Sequence, residues 1–165
     1  MVRRTLAIAC VLSALAFAAA TVGRVSAAAQ ATPTGAVQSH DENADKALLE
    51  TVCGACHETG VVAGPFRTPP EWDEVIDKMK SYGSAAAPEQ FAQVRAYLLR
   101  TYGKANVNTA AATDLGPVLD ITAMVAEGLV TYRQQNGSFK TLDDLKKVPG
   151  LEAAKVDARK ARVSF

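Results

Sequence analysis

The side chains best suited to chemistry lie within five positions of one another: Cys53-Gly54-Ala55-Cys56-His57. Two thiols and an imidazole at this spacing suit three kinds of chemistry. They can form a dithiol/disulfide pair, half of a tetrahedral zinc site or, with the histidine directly following, the attachment sequence for a c-type haem. Zinc would need two further ligands, yet His40 is the only other histidine and no second cysteine pair exists. A thioredoxin-like pair wants a strand and a helix around it, and no run of alternating β-branched residues flanks this one. Covalent haem uses every residue of the motif. Each sulfur adds to a vinyl group, and the adjacent imidazole is held under the iron.

A second axial ligand then has to come from elsewhere. Met79 closes the stripe Trp72, Val75, Ile76, Met79, whose spacing i, i+3, i+4, i+7 predicts one apolar face of a helix within "TPPEWDEVIDKMKSYG". Its thioether is a soft iron ligand, and the competing role for a methionine at helical spacing is plain core packing. Met124 lies far downstream, and His40 sits in the polar lead-in "VQSHDENADK", where it is expected to be solvated. The expected haem site is therefore Cys53 and Cys56 as tethers, with His57 and Met79 on the iron.

The elements that must position these residues are all helical. "DENADKALLETVC" carries acids in its first turn and Leu48, Leu49 and Val52 inside, a helix that delivers the motif. "APEQFAQVRAYLLRTYG" starts at Pro88 and Glu89, repeats Phe91, Val94 and Leu98 on one face and stops at Gly103. Three short helices in this span make a marginal core by themselves, and a buried porphyrin would supply the missing apolar volume. Upstream, Arg3 and Arg4, an apolar run from Leu6 to about Val22 and the stretch "RVSAAAQA" are the three regions of a secretory signal peptide. Cleavage is expected between Ala27 and Ala29. That assigns residues 1–28 to the signal, 29–39 to a flexible lead-in, and the product to the periplasm or the exterior. Cys10 would leave with the signal.

The order of the haem motif, Gly64-Pro65, "FRTPPEWDEVIDKMKSYG" and the closing "FAQVRAYLLRTYG" helix resembles the small monohaem class I cytochromes c, particularly those serving periplasmic oxidoreductases, over residues 40–104. The resemblance implies an electron carrier rather than an enzyme, haem c as cofactor and a redox protein as partner. It also implies that the other ring nitrogen of His57 donates to a carbonyl in the following loop, for which Pro65 is the expected acceptor.

Residues 105–165 differ in composition and contain a repeat at thirty residues. Asp114-Leu115-x-x-Val118-x-x-Ile121 recurs as Asp144-Leu145-x-x-Val148-x-x-Leu151. Thr141 with Asp144 predicts a capping box, and Val125, Leu129, Val130 and Tyr132 supply apolar positions between the copies. With "NVNTA", "YRQQNGSF" and "LKKVPG", the block resembles the paired helix-hairpin-helix domain of the competence-type DNA-receptor family. In its DNA-binding members glycine-x-glycine turns let backbone N–H groups approach phosphate. Here the turns read Asp120-Ile121-Thr122 and Gly150-Leu151-Glu152, with glycines lost and carboxylates gained. Eight Lys and Arg against seven Asp and Glu leave residues 105–165 nearly neutral, which does not favour phosphate neutralisation. Lys155, Arg159, Lys160 and Arg162 are expected on a solvated face of the last helix.

The sequence thus predicts an all-α chain: an exported electron-transfer cytochrome c followed by a degenerate helix-hairpin-helix module that docks a protein partner. Two other readings stay open, a DNA-binding protein that carries a haem domain and a haem enzyme with an open iron position.

Overall fold

A computed structural model of the chain describes residues 40–62 and 64–165. The expected signal peptide and lead-in lie outside the described residues. The first helix, α1 (Glu42–Cys53), starts where the Asp41 carboxylate accepts hydrogen bonds from the Asn43 and Ala44 amides, and its acids Glu42 and Asp45 face the positive end of the helix dipole. A 3₁₀ turn (Thr59–Val62) follows the haem motif. Next comes α2 (Pro69–Ser81), entered through a Thr68/Glu71 capping box with proline at the first helical position. Pro88 opens α3 (Pro88–Tyr102) in the same way.

The expected all-α architecture holds. The only strands among the described residues are two short ones, β1 (Ala105–Asn106) and β2 (Val163–Ser164), paired in parallel as Ala105 with Val163 and Asn106 with Ser164. Between them run α4 (Ala112–Leu119), α5 (Ala123–Asn136), the single turn α6 (Leu142–Leu145) and α7 (Ala153–Ala158), with a further 3₁₀ turn at Lys160–Arg162. Each half of the thirty-residue repeat is a helix, a tight turn and a helix. The chain bends by 120° from α4 into α5. No single helix among the described residues is long and apolar enough to cross a membrane.

The described residues fall in one compact unit, and residues on both sides of position 105 belong to one buried apolar cluster. Leu99 and Leu98 of α3 are buried in the same apolar cluster as Leu115, Val118 and Leu119 of α4, and α3 packs on both α1 and α4. Arg95 on α3 ties the halves together in charge as well. Its guanidinium holds both carboxylate oxygens of Asp73 on α2, at 2.5 and 2.9 Å, and reaches Asp114 on α4 at 2.9 Å. These hydrogen bonds raise the Arg95 pKa and lower that of Asp73.

Candidate functional site

The Cys-x-x-Cys-His turn ends α1 at the mouth of a cavity of about 170 Å³. Leu49 and Cys53 of α1, Trp72, Val75, Ile76 and Met79 of α2, and Phe91, Val94 and Leu98 of α3 line it, so all three predicted apolar stripes meet there. His57 and Arg67 are the charged or chargeable residues of an otherwise apolar wall. Three of the four expected site residues are therefore brought together: Cys53 and His57 from the motif, and Met79 from a separate helix. Cys56 is exposed on the outer side of the same turn, beside Gly54, Ala55 and Gly60, and the two cysteines are not joined in a disulfide. Met124 is 73 % exposed on α5, away from this cavity.

The local chemistry suits the expected group. Burial raises the Cys53 thiol pKa, as for a sulfur facing an apolar space. The Nδ1 of His57 lies 2.9 Å from the carbonyl oxygen of Glu58, which can only accept, so Nδ1 carries the proton and Nε2 keeps its lone pair for a metal. The acceptor is thus Glu58 and not the expected Pro65, which is exposed. The residue next to the histidine reaches its ring without any loop closure. The thiol, imidazole and thioether on this apolar wall are donors of the kind a tethered haem would use, although Cys56 faces outward and the cavity is smaller than a porphyrin. Among the described residues no group of three or more His, Cys, Asp or Glu side chains gathers to hold a bare ion.

Two supports were not foreseen from the sequence. The Ser84 hydroxyl donates to the Val52 carbonyl at 2.8 Å, and the Ser84 amide donates to the Met79 carbonyl at 3.1 Å, so one residue joins the end of α1 to the turn bearing Met79. Arg67 lays its guanidinium over the Trp72 ring, 4.9 Å from the centroid. Its backbone bridges to the end of α3, donating to the Tyr102 carbonyl at 3.1 Å and accepting from the Lys104 amide at 2.8 Å.

The second candidate surface is the hairpin pair. Asp120 takes a left-handed conformation with φ 56°, the backbone state that glycine supplies at the matching position in the second hairpin, where Gly150 has φ 81°. The first hairpin thus holds this backbone state without a glycine. An aspartate tolerates that region better than most residues. Lys155 of α7 reaches across to it, donating to the Asp120 carbonyl at 2.5 Å with the carboxylate 3.4 Å away. The openings recognised in the sequence have structural reasons. Asn108 clamps the Phe139 backbone through its amide and carbonyl groups at 2.9 and 2.8 Å, Arg133 donates to the Val107 and Ala110 carbonyls, and Tyr132 stacks on Phe139 at 5.8 Å. The predicted Thr141/Asp144 capping box is formed.

The expected solvated basic face is not what the cluster makes. Only Lys155 lies on α7, and it serves the first hairpin. Arg159 and Arg162 both donate to the Arg100 carbonyl near the end of α3, Arg159 at 2.6 Å. Two guanidinia thus meet the negative end of the α3 dipole. Of the four, Lys160 alone has no protein partner among the described residues.

The helix-hairpin-helix motif family matches residues 101–164, so this part of the chain is a helix-hairpin-helix domain. The chain is similar to endonuclease/exonuclease/phosphatase family domain-containing protein 1 of Xenopus laevis, 30% identical over 95 residues, which is 58% of this chain and 16% of that protein. It is also similar to ComE operon protein 1 of Bacillus subtilis (strain 168), 37% identical over 46 residues, 28% of this chain and 22% of that protein. The chain therefore spans less than a quarter of the length of either relative. No solved structure matches it.

Proposed function

We propose that the protein is an exported, haem-bearing electron carrier whose helix-hairpin-helix domain docks it on a partner. The observation that carries this reading is the gathering of Cys53, His57 and Met79 around one apolar cavity. Haem held there would supply one-electron redox chemistry with little change of structure. The chain's own tasks would be to tether through Cys53 and Cys56, to present His57 Nε2, and to bring the Met79 thioether from α2. The apolar walls on α1, α2 and α3 would exclude water. The test is export of the protein in cells that mature c-type cytochromes. Haem should survive denaturation and acid-acetone extraction, and Cys53→Ala with Cys56→Ala should abolish that retention. Haem that extracts from the unmodified protein sinks the reading.

A second reading, a DNA-binding protein that carries the pocket as an added domain, is favoured by the comparisons. Both the family match and the similarity to ComE operon protein 1 bear on nucleic-acid-type function and neither bears on electron transfer. Against it stand Asp120, Thr122 and Glu152 at the hairpins and the inward use of Lys155, Arg159 and Arg162. A salt titration of the full chain on labelled duplex separates the two. Phosphate-driven binding weakens steeply with salt, so salt-sensitive binding at physiological ionic strength establishes the second reading. Binding that appears only after Asp120→Gly, Thr122→Gly and Glu152→Gly establishes a hairpin pair retired from phosphate contact.

A further inference from the structure

We propose that Arg162, from the helix-hairpin-helix domain, is a positioning residue for the pocket in the other half of the chain, holding closed the Phe66–Arg67 segment that forms its rim. The inference rests on the haem reading for its consequence, though its geometry stands without it. The Arg162 guanidinium lies over the Phe66 ring, 4.8 Å from the centroid, and also donates to the Arg100 carbonyl. Phe66 precedes Arg67, whose side chain lines the cavity and covers Trp72, itself wholly buried in the cavity wall. A single cation therefore fixes both the rim segment and the end of the helix that carries Leu98, another wall residue.

Arg162 is half-buried, and among the described residues no carboxylate pairs with it. Burial and the neighbouring Arg159 lower its pKa. The ring face and the helix-end carbonyl are thus what offset its desolvation. Arg159 provides an internal control, because it shares the Arg100 carbonyl while the cation over the Phe66 ring is that of Arg162.

The test uses the full-length, haem-loaded protein carrying Met79→Ala, which opens the iron, as the reference, and compares Arg162→Ala, Arg162→Lys and Arg159→Ala added to it by the rate at which carbon monoxide binds the reduced form. Loss of the cation–π contact should speed binding about tenfold in Arg162→Ala. Arg162→Lys should recover part of the closure, and Arg159→Ala should stay within about twofold of that reference. Equal acceleration by Arg159→Ala would reduce the contact to general adhesion between the halves, and no acceleration by Arg162→Ala would end the proposal. Should Arg162→Ala fail to fold, Phe66→Leu removes the ring from the other side and must produce the same acceleration. A readout free of haem keeps the two readings apart. In the Cys53→Ala, Cys56→Ala protein, acrylamide quenching of Trp72, the chain's single tryptophan, should rise on Arg162→Ala and not on Arg159→Ala. Unchanged quenching counts against the proposal whether or not the protein holds haem.

Discussion

The two halves of the molecule use similar helices and fill their parts of one shared apolar cluster differently. In the helix-hairpin-helix half, Leu115, Val118, Leu129 and Leu145 are all at 0 % exposure, and the interior is filled by the chain's own side chains. In the other half, Val75, Met79 and Phe91 are only half-buried although they lie on the inner faces of α2 and α3, because the space between them is a cavity. These apolar side chains, partly uncovered on an inward face, are the wall that the proposed haem would cover.

Three experiments press on that contrast. The largest effect is expected at the cavity. In haem-loaded protein Met79→Ala should open the iron to carbon monoxide and slow-binding behaviour should be lost, whereas Met124→Ala, altering an exposed residue of the filled half, should leave the visible spectrum unchanged. Rapid carbon monoxide binding by the unmodified protein would instead favour an open-site enzyme. The next effect is on stability. Leu145→Ala should cost about 3 kcal/mol through a cavity in a closed core, while Val75→Ala in haem-free protein should cost about 1 kcal/mol, since little packing is lost. Chemical denaturation of both variants measures the difference, and equal losses would show that the two cores are equally filled.

The smallest effect concerns pH. Hydrogen bonds from Lys147, Lys140 and Thr141 lower the Asp144 pKa well below the ordinary carboxylate value of about 4. A depressed folded-state pKa contributes stability that is present above about pH 4 and is lost as pH falls toward the folded value. The difference in melting temperature between the unmodified protein and Asp144→Asn should therefore shrink on acidification below pH 4. A constant difference from pH 7 to pH 3 would assign the effect of Asp144 to shape rather than charge.

Much of this was legible in the sequence because it depends on local spacing. The Trp72 to Met79 stripe, the Thr141/Asp144 box and the thirty-residue repeat are all set by helical geometry, and the structure has each of them. The gathering of Cys53, His57 and Met79 around one cavity follows from the motif ending α1 and from the stripe on α2. What escaped was tertiary. The two strands are two residues long, too short for an alternating pattern, and pair only because the chain returns to residue 105. Ser84 and Arg67 read as ordinary turn residues until α1 and α3 arrive beside them. The basic cluster misled because charge near a C-terminus normally faces water, and nothing local announces that the Arg100 carbonyl, some sixty residues earlier, will meet two of its guanidinia. Pro65 was expected to accept the His57 ring hydrogen bond, but the Glu58 carbonyl lies nearer along the chain.

The lacing of residues 159–164 onto residues 66–107 also carries a consequence in time. Every contact in it joins segments more than fifty residues apart, the Arg162–Arg100 bond among them. Such pairings carry the largest loop-closure entropy and form late. The ribosome adds Arg162 long after Cys53, Cys56 and His57. A newly made chain therefore presents its thiols and imidazole on an unlatched pocket first. On the role proposed for Arg162, the pocket rim is then among the last parts of the fold to be fixed.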